Sequence, residues 1–224
     1  MNKKLIITFL SLIVFITLLI NHNNILTYIF IKNFSKWTEH RTNLESLNIN
    51  FWKQTIKINK IEIRNKEGFF NKNVFEAESI FIEYDYKSIL SNEVIIKKLI
   101  INQPNFYFEI KADKKIVDNL NLSKKTLKGY SPKIYPNKNN DKNFIIIELY
   151  IKNSKAHIYY SKNNSNLNLN LSDMTFGKVG NLNNESDKKT QHYKNVLELI
   201  LKDIFMRIPD QDLKDLIRKT YKFN

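Results

Sequence analysis

The stretch Thr55-Ile56-Lys57-Ile58-Asn59-Lys60-Ile61-Glu62-Ile63-Arg64 decides the fold. Apolar and polar residues alternate through it, the period of a strand with one face buried and the other in water. Ile56 and Ile58 share one parity, and Ile61 and Ile63 take the other after the polar pair Asn59-Lys60. One extra residue at that pair returns all four isoleucines to one face, as a β-bulge does. The same texture continues on both sides. Leu47, Ile49 and Phe51 alternate before it, and a strand from about Glu78 to Tyr86 carries Ile80, Ile82, Tyr84 and Tyr86 on one face. Residues 66–75 read as a loop or short turn around Gly68 that tucks Phe69, Phe70 and Phe75 inward. Val94 and Ile96, then Leu99 and Ile101 across Lys97-Lys98, make a second phase-shifted strand. Pro104 interrupts it, because proline has no N–H to give a ladder. Phe106, Phe108 and Ile110 then resume the alternation.

Residues 123–143 hold Pro132, Pro136, Gly129 and an Asn-Lys cluster, a solvated loop expected to divide two structural units. Beyond it Ile145, Ile147, Leu149 and Ile151 alternate, and Ala156, Ile158 and Tyr160 pair with Leu167, Leu169 and Leu171 as a hairpin. The period then changes. Val196, Ile200 and Ile204 recur every four residues, the stripe of an amphipathic helix that Pro209 ends. Leu213, Leu216 and Ile217 mark a second short helix. The expected fold class is α+β, mainly β: an N-terminal transmembrane helix, an antiparallel sheet of eight to ten strands, and C-terminal amphipathic helices.

The transmembrane expectation comes from Leu5–Ile20, which carries no charge and follows Lys3-Lys4. At 1.5 Å per residue this run covers roughly 24 Å, slightly short of a hydrocarbon core of about 30 Å. Apolar character resumes at Ile25–Ile31, so the helix extends or lies in the interface. Residues 18–30 contain no Ala or Gly, hence no small-residue cleavage site. An uncleaved signal anchor is expected, with Lys3 and Lys4 holding the N-terminus in the cytoplasm and the remainder outside. Lys32, Lys36 and Arg41 on the other flank oppose that orientation without reversing it.

Composition narrows the function classes. The chain of 224 residues has no Cys, which removes disulfides, thiolate metal sites and a Cys nucleophile. Its formal net charge is +14, yet only four of its 36 basic residues are Arg, and they form no cluster. Lys spread over polar strand faces is a solvated surface with attraction to anionic lipid headgroups, so nucleic acid is not an expected partner. The four His, at 22, 40, 157 and 192, show no metal-binding spacing, and His157 falls on the polar parity of its strand. Asp210, Asp212 and Asp215 suit a helix start rather than a calcium loop, which would need a turn Gly and a distal Glu. Gly177-Lys178-Val179-Gly180 is a lone G-x-x-G that reads as an ordinary turn. No nucleophile elbow, P-loop or dinucleotide fingerprint occurs, so no catalytic residue, metal or cofactor is expected, and the chain is not read as an enzyme.

The order of parts resembles the N-terminal region of AsmA-like envelope proteins, the group that includes TamB-type relatives. The resemblance is carried by Ile56 to Asn65, by Phe75-Glu76-Ala77-Glu78-Ser79-Ile80 and by Tyr86-Lys87-Ser88-Ile89-Leu90. It continues through Ile95 to Phe106 around Leu99 and Pro104, through Asp118-Asn119-Leu120, and through Phe144–Tyr160 followed by Asn166–Phe176. It covers most of residues 1–176 and brings no catalytic residues. Asn153-Ser154 stands where the family has an Asn-Gly turn, the chain is much shorter than typical members, and the C-terminal helices match loosely.

The resemblance implies a membrane anchor over 1–31 and a first β unit over 32–122. It also implies that the β units form a twisted β-groove with an apolar inner face. Composition and periodicity, rather than the resemblance, place the loop at 123–143, a second β unit over 144–180 and C-terminal helices over 190–222. The resemblance further implies a single-pass inner-membrane protein with its bulk in the periplasm, acting in phospholipid transport and in outer-membrane protein assembly. Expected partners are membrane phospholipids, and another envelope protein or a longer relative. Independently, Ile80, Ile82, Tyr84 and Tyr86, with Phe106, Phe108 and Ile110, would line an apolar groove suited to acyl chains. The competing architecture is a scaffold with a closed β core, in which the C-terminal helices cap that face. Nine strands stacked about 4.8 Å apart would reach on the order of 43 Å, too short to bridge two membranes as longer relatives are thought to do.

Overall fold

The computed structural model of the chain describes residues 23–36, 38–110, 143–161, 164–180 and 191–215. The protein is α+β and mainly β, and the described residues form eleven strands in one mixed sheet. Helix α1 (23–36) precedes β1 (Thr42–Asn50), β2 (Thr55–Arg64) and β3 (Asn73–Tyr84). A 3-10 helix (Tyr86–Leu90) leads to β4 (Glu93–Asn102) and β5 (Asn105–Ile110). Then come β6 (Asn143–Lys152), β7 (Lys155–Tyr160), β8 (Ser165–Asn170), β9 (Met174–Phe176), β10 (Val179–Gly180) and β11 (Gln191–His192). Helix α2 (Tyr193–Arg207) follows, and 211–215 begin a further helix, α3. Tyr86 therefore lies outside the strand expected to contain it.

β1, β2 and β3 form an antiparallel meander. β4 and β5 lie end to end along the other edge of β3, pairing with its C-terminal and N-terminal halves respectively. β6 and β7 repeat this, parallel to β4 and β5. Parallel neighbours need a crossover rather than a tight turn, and residues 111–142 connect β5 to β6. The sheet is thus mixed rather than antiparallel throughout, and strands on both sides of 123–143 belong to it together. The hairpin β7–β8 has Ala156 opposite Leu169 and Ile158 opposite Leu167.

The register produces continuous apolar rows. One crosses Ile49, Ile56, Ile82, Leu99, Leu149 and Phe176. The next crosses Leu47, Ile58, Ile80, Ile101, Ile151 and Met174. A third, apolar beyond the buried Thr42 at its edge, crosses Thr42, Ile63, Phe75, Phe106, Ala156 and Leu169. Between the second and third rows the sequence numbers differ by five in every strand position, for example Ile58 to Ile63 and Ile151 to Ala156. A pleat of period two would put such residues on opposite faces. Each strand position therefore inverts its pleat once, at one shared level, and pairing resumes in step. Lys60 (φ 46°), Gln103 (φ 48°) and Asn153 (φ 53°) mark this level. Hydrogen bonds stitch across it: Gln103 N–H donates to the Lys152 carbonyl, Lys155 N–H to that of Pro104 and Leu171 N–H to that of Ser154. Buried Pro104 is tolerated here because a bulge asks no ladder bond of it.

Lys97 is skipped between the Glu83–Lys98 and Tyr84–Ile96 pairs, a second irregularity at the position read from the sequence. Its effect reaches β6. Ile146, opposite Ile96, packs on the core, while Ile147 is exposed, so the expected Ile145–Ile151 alternation fails at one position.

Helices cover the apolar rows. Leu26, Phe30 and Phe34 of α1 recur every four residues and pack with Leu47, Ile58, Ile61 and Ala77. Residues 25–31 thus belong to a helix that runs past the expected anchor boundary at 31 and lies on the sheet. Val196, Ile200, Leu201 and Ile204 of α2 join Leu149, Ile151, Ala156, Ile158 and Leu169 in a second core. Ile101 packs against both cores, which places α1 and α2 on the same face. Asp210 caps α3, its carboxylate accepting from Leu213 N–H at 3.0 Å. Leu216 and Ile217 lie outside the described residues, as do the run 5–20 and the turn 118–120. Among the described residues no helix is long and apolar enough to cross a membrane.

Candidate functional site

The residues expected to line a groove occupy three environments. Ile80 packs with the α1 core, and Phe106 and buried Phe108 pack in the α2 core. Ile82 is half-buried and belongs to neither core. Its row neighbours show why: Ile56 joins the α1 core and Leu99 the α2 core, so Ile82 stands at the seam between the two covers. Tyr84 is buried one row on, opposite half-buried Ile96. Tyr86 is exposed on the 3-10 helix. Ile110 ends β5 beside Tyr160, and its side chain lies outside the described residues. Ile96 and Leu99 were not expected as seam neighbours of Ile82, because periodicity fixes a face but not a partner.

The opposite face of the sheet is polar. Tyr107 donates its hydroxyl proton to Glu76 Oε2 at 3.0 Å, and Asn73 Nδ2 donates to Glu76 Oε1. His157 stacks on Tyr107 with centroids 4.7 Å apart. Its Nδ1 faces Asn168 Oδ1 at 2.7 Å and its Nε2 faces Asn105 Oδ1 at 3.1 Å. Both ring nitrogens are thus engaged with amides, which suits a structural role. Phe70 lies face to face on Tyr159 at 4.0 Å, and its N–H donates to Glu109 Oε2 at 2.6 Å, so it binds outward on this face rather than tucking into the core. Asn59 bridges to Ser46, and Asn102 to Ser79, across neighbouring strands. This network holds polar side chains against one another along the sheet.

Burial, then the charge and hydrogen bond of Glu76, then Glu62, push the Tyr107 phenol up to about 12. Below pH 10 the phenol is neutral in the folded and unfolded chain alike. Between about 10 and 12 only the unfolded chain ionises there, so stability should fall across that window. Ultraviolet titration should show a late phenolate component near pH 12, and Tyr107→Phe should remove it.

A cleft of about 570 Å³ opens at the far end of β2, lined by Glu62, Arg64, Lys66, Glu67 and Lys72 among others. Gly68, at φ 90°, supplies the left-handed turn at its tip. The mixed charges give no single sign that would select a substrate. Among the described residues no three His, Asp or Glu side chains converge as metal ligands. No protein-family model matches the chain, and no curated protein matches it.

Proposed function

We propose that this chain is an AsmA-like protein held in the inner membrane by its N-terminal run, with its N-terminus cytoplasmic and its bulk periplasmic. There it acts in transport or homeostasis of envelope phospholipid and supports outer-membrane protein assembly. The observation that carries the lipid reading is the seam at Ile82, where apolar strand rows pass from beneath α1 to beneath α2. A half-buried isoleucine between two helical covers can meet an acyl chain without unfolding a core. Reach favours action at one membrane. End-to-end strands share positions, so among the described residues seven positions side by side span only about 29 Å at 4.8 Å spacing. A strand such as β2 is only roughly 33 Å long, so the sheet is short in either direction. Lipid would pass to a carrier, a further copy or a longer relative.

A second reading, a non-enzymatic scaffold with a closed β core, is favoured by the two helices that already cover most of the apolar face. Photo-crosslinking from Ile82 in cells separates the two. Phospholipid adducts are expected for lipid handling, and only protein adducts for a scaffold.

A further inference from the structure

One end of the sheet carries large apolar side chains in water. The β1–β2 turn presents Phe51 and Trp52, the latter 97% exposed. The 3-10 helix presents Tyr86 and Leu90, the latter 92% exposed. These segments are neighbours: Tyr84 N–H donates to the Gln54 carbonyl at 3.0 Å. Both are held firmly. Asn50 Oδ1 accepts from Lys53 N–H at 2.8 Å inside the turn. Buried Ser88 accepts from Ile95 N–H at 2.8 Å and donates to the Asp85 carbonyl, fixing the 3-10 helix to β4. A patch displayed by pinned backbone is a feature of the fold, and exposed apolar patches of this kind mark interaction surfaces.

The start of α1 indicates what covers it. Asn23 Oδ1 accepts from Ile49 N–H at 3.5 Å, so residue 23 lies at the same end as Trp52. In the sequence the uncharged run Leu5–Ile20 ends three residues earlier. Three residues of chain reach at most about 11 Å, so a bilayer holding that run faces this end of the domain. Trp and Tyr are the side chains that favour the headgroup layer, and exposed Lys53 and Lys87 beside them suit anionic lipid. Asp85 is engaged in capping Lys87 N–H, which leaves Glu93 as the exposed acid nearby in sequence.

We infer that Phe51, Trp52, Tyr86 and Leu90 form a docking rim seated in the headgroup layer of an anionic phospholipid bilayer. The inference rests on the anchored reading above and adds which end of the domain meets lipid. It stands the strands up from the membrane, with the 65–72 loop roughly 30 Å away along β2.

The native chain has no Cys, so single nitroxide labels can be placed in the full protein through Phe51→Cys, Leu90→Cys and Lys66→Cys. Each variant is reconstituted in vesicles of phosphatidylethanolamine and phosphatidylglycerol. Labels at 51 and 90 should show a severalfold higher ratio of oxygen to nickel-chelate accessibility than the label at 66. Equal, water-like ratios at all three sites in vesicle-bound protein would overturn the rim while leaving the anchor standing. Exclusion of both reagents at 51 and 90, with dipolar broadening, would assign the patch to a second copy and overturn it as well. Failure of the protein to remain with the vesicles would overturn the anchor and the rim together.

Discussion

Replacing Ile204 by Asp should destabilise the fold by on the order of 4 kcal/mol or more. Ile204 is buried in α2 against the strand rows that include Leu149 and Ile158. The substitution removes an apolar side chain from a packed core and forces a carboxylate either to be buried unpaired or to pull the helix away. Native domains are stable by only about 5–15 kcal/mol, so most of the margin goes. Leu199 in the same helix is exposed, and Leu199→Asp should change stability by no more than about 0.5 kcal/mol. Urea denaturation of the two variants separates a packed cover from a loosely lying helix. Equal midpoints would contradict the packing described for α2. Loss of α2 should also uncover the docking of the 171–173 segment, where Asp203 accepts from Ser172 N–H at 3.0 Å and pairs with Arg207.

The second large effect concerns the level at which the strands invert their pleat. Asn153 holds φ 53°, a region where a β-branched residue is strained. Asn153→Val should therefore cost about 2 kcal/mol, whereas Asn153→Gly should be close to neutral. The ordering Gly and Asn above Val, measured by thermal or urea unfolding, is the expected result. A neutral Val would mean that β6 and β7 join without the left-handed residue. Ser154, the next residue, is buried at the joint, so the strain of a β-branched side chain at 153 has little room to relax.

The parity change at Asn59-Lys60 was legible because four isoleucines report it within one strand. So were the bulge at Lys97, the β7–β8 hairpin and the α2 stripe, each a local period. The continuity of β4 with β5, and of β6 with β7, was not. Pro104 and Asn153-Ser154 look like strand ends in one dimension, and only neighbouring strands kinked at the same level turn them into joints. Parallel pairing of β4 with β6 is likewise a statement about partners, which alternation does not contain. Helix α1 was hidden for another reason. Its outward Ile25, Tyr28 and Ile29 are apolar as well as its inward Leu26, Phe30 and Phe34, so the segment read as a continuation of the anchor.

The apolar face was legible in outline, and its covers decide which part of it can act. Phe108 was expected to line the groove together with Ile82, yet it lies in the α2 core while Ile82 lies at the seam. The rim residues Trp52 and Leu90 went unnoticed because exposure of an apolar residue leaves no mark on periodicity.

The most direct test of lipid handling is photo-crosslinking in cells from the full chain, with the probe at Ile82 in one variant and at Phe108 in another. Phospholipid adducts are expected from Ile82, and from Phe108 only internal crosslinks to neighbouring strands and α2. Internal crosslinks alone from both positions would contradict it and leave a closed structural core.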